Sequence, residues 1–433
     1  MATQDSTKKG DKVENKKQFQ SPRGMHDILP ETWSYWERIE KAVHSITDCY
    51  NFSRIETPIL EQKDLFERGV GEGTDIVEKE MFSLKTKGGD SLVLRPEATA
   101  AVMRSYFQHG MHRLPQPIKL FYFGPMFRHE RPQAGRYRQF YQFGLEILGG
   151  DSDAIYDAQI ILTTYRFLEE LKLKDLIIHI NSIGCKSCRQ TYMQRLVTYY
   201  KRQKVCKDCE RRMSVNPLRL LDCKNSQCGE AKKEAPNFVD SLCTLCKTHF
   251  KHVLEYLDEL QLPYILDNQL VRGLDYYSRT VFEIFIEEGE SAIAGGGRYD
   301  YLGKMIGGKP TPAVGSSVGV ERALELAKGM GFKPTKPKQK VFLVHVGEMT
   351  KRKSLSLIEE LRKNSVCVLE ALGKDSLSAQ MERASKEQAS IALIFGQKEA
   401  FEGSIIVRDM ETGVQELVPL SSLATEVKKR LKG

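Results

Sequence analysis

Between Tyr141 and Ile147, within the strand-like run Gln139 to Leu148, the side chains alternate in character at every step, and this is the segment that most restricts what the chain can fold into. In a strand, successive side chains point to opposite faces. Tyr141, Phe143, Leu145 and Ile147 therefore share an apolar face that packs on a core, while Gln142, Gly144 and Glu146 share the other. That second face presents an amide and a carboxylate separated by a glycine that leaves room above the sheet, as a ligand floor would. A second apolar run, Lys119 to Phe123, precedes it across a polar loop containing Pro132 and Gly135, which predicts a long antiparallel hairpin. The loop and its flanks carry Arg128, His129, Glu130, Arg131, Arg136 and Arg138. Guanidinium forks of this kind suit bidentate phosphate recognition.

The surrounding sequence predicts helices over Glu31–Cys49 and Asp153–Leu171 and an extended segment at Pro58. It also predicts strands at Ser91–Leu94 and Val281–Ile286. Two glycine-rich turns, at Gly295-Gly296-Gly297 and at Gly315 and Gly319, are expected to lead into a helix near Val320. Antiparallel strands with helices to one side give an α+β core over 20–183 and 259–332. A lysine- and proline-bearing linker, 333–340, leads to a separate α/β domain, 341–433, with apolar strands at Val341–Val346, Val366–Leu369, Ile391–Phe395 and Ile405–Val407. Residues 1–19 are expected to be a disordered polar tail.

Residues 184–258 interrupt the core. They hold fifteen Lys and Arg against eight Asp and Glu, so most of the chain's net charge of +8 lies here. Such a surface suits a phosphate backbone, although a solvated basic face is the plainer alternative. Eight of the ten cysteines also fall in this stretch, in close pairs. No run approaches the ~18 apolar residues that cross a bilayer, and the first twenty residues carry five lysines and no apolar core for a secretory signal. The expectation is a soluble cytoplasmic protein with no membrane partner, in which C-x2-C pairs hold metal as thiolates more readily than they form disulfides. Cys206, Cys209, Cys243 and Cys246 are read as ligands of a structural zinc. The eight thiolates suffice for two tetrahedral sites, and free buried thiols are the alternative.

Phe127-Arg128-His129-Glu130 followed by Gly135 to Gln142 (GRYRQFYQ) resembles motif 2 of the class II aminoacyl-tRNA synthetases in its histidyl form. Leu94 to Thr99 (LRPEAT) resembles the amino-acid-binding strand of that family. Gly315 to Arg322 (GSSVGVER) resembles motif 3, Leu270 to Thr280 (LVRGLDYYSRT) the histidyl signature, and Ala294 to Tyr299 (AGGGRY) the glycine-rich stretch after it. Ser316 or Ser317 stands where the family carries a bulkier residue, and Ala323 replaces a leucine. The resemblance runs from about Pro22 to the end of the chain.

It implies histidine activation by ATP, with Mg2+, followed by transfer to tRNA(His). Glu97, Thr99 and Gln142 would hold the α-amino group of histidine, and Glu146 and Tyr277 its imidazole, with Tyr276 lining the pocket. Arg128 and Arg272 would be the catalytic residues at the α-phosphate, and Arg128 and Arg322 would bind ATP. The resemblance also implies a homodimer formed through the segment Glu31–Thr57, an insertion near the tRNA acceptor stem and a last domain that binds the anticodon. A silent regulatory paralogue and a zinc-dependent RNA-binding protein are the competing readings.

Overall fold

A computed structural model describes residues 19–431 apart from 72, 133–134, 287–290 and 336–338, so the tail expected over 1–19 lies, except for Phe19, outside the described residues. The chain divides into two compact units, Met1–Thr335 and Lys336–Gly433.

The first unit begins with α1 (Pro30–Cys49), β1 (Ser53–Arg54), β2 (Leu60–Gln62), α2 (Lys63–Val70), β3 (Ser83–Lys85), β4 (Ser91–Leu94) and α3 (Thr99–Gln108). The hairpin follows as β5 (Ile118–Phe127) and β6 (Gln139–Leu148), paired without a break from Ile118 opposite Leu148 to Phe127 opposite Gln139. Then come α4 (Ala154–Glu170), β7 (Leu176–Ser182) and an all-helical insertion of α5 (Lys186–Tyr200), α6 (Lys207–Val215), α7 (Gly229–Lys233) and α8 (Thr244–Glu259). The unit closes with β8 (Tyr264–Leu266), β9 (Ser278–Ile286), β10 (Ala294–Arg298), α9 (Leu302–Met305), β11 (Ala313–Gly319) and α10 (Val320–Gly329).

Eight strands form one sheet in the order β1-β5-β6-β11-β10-β9-β7-β8. Its six central strands are antiparallel, as expected, but β1 and β8 add to the two edges in parallel. On one face Phe143, Leu145 and Ile147 of β6 join Phe282, Ile284, Val314 and Val318 against α1, α4, α8 and α10. This is the apolar face predicted from the alternation. A buried ion pair of Arg298 with Asp157 fastens β10 to α4. His249 of α8 lies 3.6 Å from the same carboxylate, and burial pushes its pKa down to about 4, so it stays neutral there.

The opposite face of the sheet carries a second core. Here Tyr122, Leu148, Val281, Tyr276 and Tyr277 pack with Phe66 and Val102 of α2 and α3, and with Tyr192, Leu196, Tyr200 and Leu220 of the insertion. The insertion thus shares its hydrophobic interior with the functional face.

The second unit contains β12 (Lys340–His345), α11 (Glu348–Lys363), β13 (Val368–Glu370), α12 (Leu377–Lys386), β14 (Ala389–Phe395), α13 (Gln397–Phe401), β15 (Ser404–Asp409), β16 (Gln415–Pro419) and α14 (Leu420–Arg430). Its mixed sheet runs β13-β12-β14-β15-β16. The edge strand β16 escaped the sequence reading because Val418 is its one buried residue. No helix among the described residues is long and apolar enough to cross a membrane.

Candidate active site

The predicted glycine-rich turns are strands. Gly295, Gly296 and Gly297 lie in β10, and Gly315 and Gly319 in β11. Glycine usually marks a turn because it tolerates positive φ, but here what counts is the missing side chain. A Cβ at Gly315 would lie 1.7 Å from Glu146 Oε2, and one at Gly144 would lie 2.1 Å from the Tyr122 ring. At Gly295 it would meet Arg272 Nη1 at 2.6 Å. Neighbouring strands therefore form a bare backbone floor, and the long side chains of the site lie across it.

Gly315→Ala tests the floor. The added methyl must displace Glu146 or the strand, an overpacking cost of roughly 1–3 kcal/mol. The expected result is a lowered melting temperature together with a substrate KM raised roughly 5- to 150-fold, the range that cost converts to. Unchanged substrate KM in the folded variant would show that the bare floor is not needed for binding.

Glu146 is fully buried on this floor. Thr99 donates its hydroxyl to Oε1 at 2.7 Å, and Tyr299 donates its phenol to Oε2. Burial pushes the Glu146 carboxyl up to about 8; the two hydroxyls pull it down, and Glu97 adds to the rise. Glu97, at the start of α3, accepts from the backbone N–H groups of Thr99 at 2.7 Å and Ala100 at 3.0 Å. It thereby satisfies orphan donors of the helix N-terminus. The Tyr276 hydroxyl lies 3.5 Å from its other side, and Tyr276 stacks at a tilt on Tyr277 with ring centroids 4.7 Å apart. Glu97, Thr99, Glu146, Tyr276 and Tyr277 thus form one buried cluster, which Tyr299 completes. Tyr299 carries no role in the sequence reading, although it ends the glycine-rich stretch quoted there.

Beside this cluster opens a cleft of about 730 Å³ lined by Arg128, Gln142, Arg272 and Arg322. Gln142 is buried and its Oε1 has no hydrogen-bond partner. An unpaired buried acceptor is costly unless something fills the site. Arg128 donates through Nε to the Pro96 carbonyl at 2.9 Å and lies over the Phe140 ring. Arg322 donates to the carbonyls of Ala292 at 2.6 Å and Gly135 at 3.4 Å, so it braces the hairpin loop. Burial lowers the pKa of Arg322, and the nearby charge of Arg136 lowers it further. Converging cations of this kind gain most from an anion between them.

Arg272 pairs with Glu283 of β9 and sits over the Tyr277 ring, while its Nε has no partner. Burial opposes its charge, and the Glu283 carboxylate more than restores it. Glu283 went unread, although it is the one charged residue in the run Val281–Ile286. Glu321 was also missed; its carboxylate accepts the Tyr141 N–H at 2.9 Å and ties α10 to β6.

The departures from motif 3 resolve by parity. Ser316 faces α4, where its hydroxyl meets that of Thr164 at 2.6 Å, and Ala323 is buried in the first core. Ser317 alone of the three lines the cleft.

One expectation is corrected. Cys206 and Cys209 do not converge with Cys243 and Cys246. Cys185, Cys188, Cys243 and Cys246 form one quartet, and Cys206, Cys209, Cys223 and Cys228 another. The first brings the N-terminus of α5 to that of α8, and the second ties the start of α6 to the segment that leads into α7. Equal spacings had left this pairing open.

An antiparallel sheet whose hairpin and glycine-bearing strands hold an arginine-lined cleft defines a class II aminoacyl-tRNA synthetase core. The histidyl-tRNA synthetase family model matches residues 24–187 and 195–323, and the anticodon binding domain model matches 340–430. A histidine–tRNA ligase of Dehalococcoides mccartyi is 44% identical over 418 residues, which are 95% of this chain and 100% of that one. Another, from Desulforamulus reducens, is 44% identical over 94% of this chain and 99% of its own. The crystal structure of apo histidyl-tRNA synthetase from S. aureus matches with a TM-score of 0.79 at 33% identity, covering 94% of this chain and 99% of that one. The chain belongs to the histidyl-tRNA synthetase family.

Proposed function

We propose that this chain is a histidine–tRNA ligase that activates L-histidine with ATP and transfers it to the 3′ end of tRNA(His). The observation that carries the proposal is the buried Glu146, held on a glycine floor by Thr99 and Tyr299, next to a cleft with arginines from three separate segments.

The imidazole would lie against Glu146 and Tyr277, with Tyr276 closing the pocket. The α-amino group would meet Glu97, Thr99 and the open Oε1 of Gln142. A histidine carboxylate oxygen attacks the α-phosphorus of ATP, the bond to pyrophosphate breaks, and the histidyl-adenylate forms. A terminal ribose hydroxyl of the tRNA then attacks the carbonyl carbon and AMP leaves. Arg128 and Arg272 would stabilise negative charge at the reacting phosphate, and Arg322 would hold the terminal phosphates. No side-chain nucleophile is required, so positioning and fixed positive charge supply the catalysis.

The cleft wall includes Glu80, Glu130 and Glu321, where Mg2+ would approach with ATP. Mg2+ supplies charge neutralisation on the leaving pyrophosphate when bound. The unit from Lys336 would bind the anticodon stem-loop, and the basic insertion, with structural zinc on its cysteines, would approach the acceptor stem. A homodimer in the cytoplasm would be its working form, and the exposed Leu29 and Trp33 of the α1 region are candidates for its interface.

ATP–pyrophosphate exchange with each standard amino acid offered separately tests the assignment. Exchange with histidine alone is expected. Exchange with another amino acid removes the pocket assignment, and no exchange from folded protein moves the weight to the regulatory paralogue.

A further inference from the structure

We infer that the insertion carries two separate structural zinc centres, one on Cys185, Cys188, Cys243 and Cys246 and a second, nested inside it, on Cys206, Cys209, Cys223 and Cys228. This deepens the structural-metal part of the proposed function and does not depend on the aminoacylation activity.

In each quartet all four sulfur atoms lie within 4.8 Å of one another. Cys185 and Cys188 are 3.5 Å apart, and Cys206 with Cys223 and Cys209 with Cys228 are each 3.9 Å apart. A disulfide needs about 2.05 Å between sulfurs. Four thiolates around one zinc at ~2.3 Å leave tetrahedral edges of about 3.8 Å, which matches these separations.

The backbone is also arranged for thiolates. Cys185, Cys206 and Cys243 stand at the N-caps of α5, α6 and α8, where helix dipoles and free N–H groups favour negative charge. The N–H of Cys243 donates to Cys188 Sγ at 3.1 Å, that of Cys206 to Cys228 Sγ at 3.3 Å, and that of Asn225 to Cys223 Sγ at 3.5 Å. Donors to sulfur from outside the sulfur tetrahedron orient the ligands, as second-sphere groups do around metals. Four sulfurs with no nitrogen or oxygen donor select zinc or iron among common ions, and zinc needs no redox partner.

The insertion also needs support of this kind. Between Lys201 and Leu242 it contains only short helices and single 3-10 turns. A metal would brace these short pieces, which pack into the core shared with the functional face. The outer centre ties the base of α5 to the base of α8. From α5, Arg189 donates to the backbone carbonyls of Asp275 at 3.0 Å and Tyr277 at 3.2 Å. The outer centre therefore also steadies the segment that carries the pocket tyrosines.

The test is zinc stoichiometry of the full-length chain purified without chelator, measured by elemental mass spectrometry, in the wild type and in Cys243→Ser and Cys223→Ser. About two zinc ions per chain are expected in the wild type, with each variant losing a different one, so that the double variant holds none. Should the variants fail to fold, wild-type protein loaded with Co2+ is expected to develop sulfur-to-cobalt absorption that saturates at two equivalents. One ion lost by both variants, saturation at one equivalent, iron in place of zinc, or metal-free protein would each overturn the inference. Two zinc ions in a chain with no pyrophosphate exchange would leave the centres standing and remove the proposed activity.

Discussion

Arg272→Ala is expected to lower histidine-dependent pyrophosphate exchange by roughly 100- to 1,000-fold, the loss typical of removing one preorganised donor from a developing negative charge. The residue is suited to the task because it arrives charged and nearly aligned. Glu283 and the Tyr277 ring fix its guanidinium over Gly295, and its Nε still has no partner. When substrate binds, Glu283 must share the arginine with an anion. The variant leaves the partly exposed Glu283 without its partner, which lowers stability as well. Arg272→Lys separates the two effects: it keeps a charge for Glu283 but loses the planar fork, and stability is expected to recover while exchange does not. Exchange near the wild-type rate in either folded variant would remove Arg272 from the mechanism.

Glu146→Gln is expected to raise the histidine KM roughly 100-fold while leaving that of ATP within a factor of a few. A lost hydrogen bond to a charged group is worth up to ~3 kcal/mol, or about two decades. The pH profile sharpens the test. With burial holding the Glu146 carboxyl up to about 8, it is protonated in the empty site at neutral pH. Free imidazole titrates near ~6.5. Between these values the pocket acid and the neutral ring together bring the one proton from which a charge-assisted imidazolium–carboxylate pair forms. Below that window the substrate carries an extra proton, and above it the pocket has lost its own. The histidine kcat/KM is therefore expected to peak between about 6.5 and 8. In Glu146→Gln the acid limb should stay, because it belongs to the substrate, and the alkaline limb should move upward. The same alkaline limb in wild type and variant would rule out Glu146 as its source.

The parts of the site visible in the sequence were those where chemistry and periodicity coincide. The alternation from Gln139 to Leu148 placed Gln142 and Glu146 on one face and the apolar core on the other, and the packing of Phe143, Leu145 and Ile147 follows it. Arginines in the hairpin pointed to phosphate for the same reason, since guanidinium forks outnumber the one carboxylate, Glu130, that pairs with Arg128 and Arg136 there. What stayed hidden depended on long-range proximity. Gly295 and Gly315 read as turns because glycine signals backbone freedom locally, whereas their reason here is a side chain distant in sequence, Arg272 or Glu146, lying over the backbone. Tyr299 became visible only once the fold had brought its hydroxyl to Glu146. The cysteine pairs were plain in the sequence, but the choice of partners depends on the fold, which brings the N-terminus of α5 to that of α8 for one quartet and gathers 206–228 for the other.

The glycine floor has an evolutionary consequence. At Gly144, Gly295 and Gly315 every possible substitution adds atoms and none removes them, so these positions are a one-way gate for mutation. A lineage drifting toward a different amino acid has no small first step to take there. Variation must enter through the walls, at Glu146, Tyr276, Tyr277 or Tyr299, where side chains can be shortened, exchanged or re-paired. The pocket's depth is thus inherited while its selectivity remains open to selection.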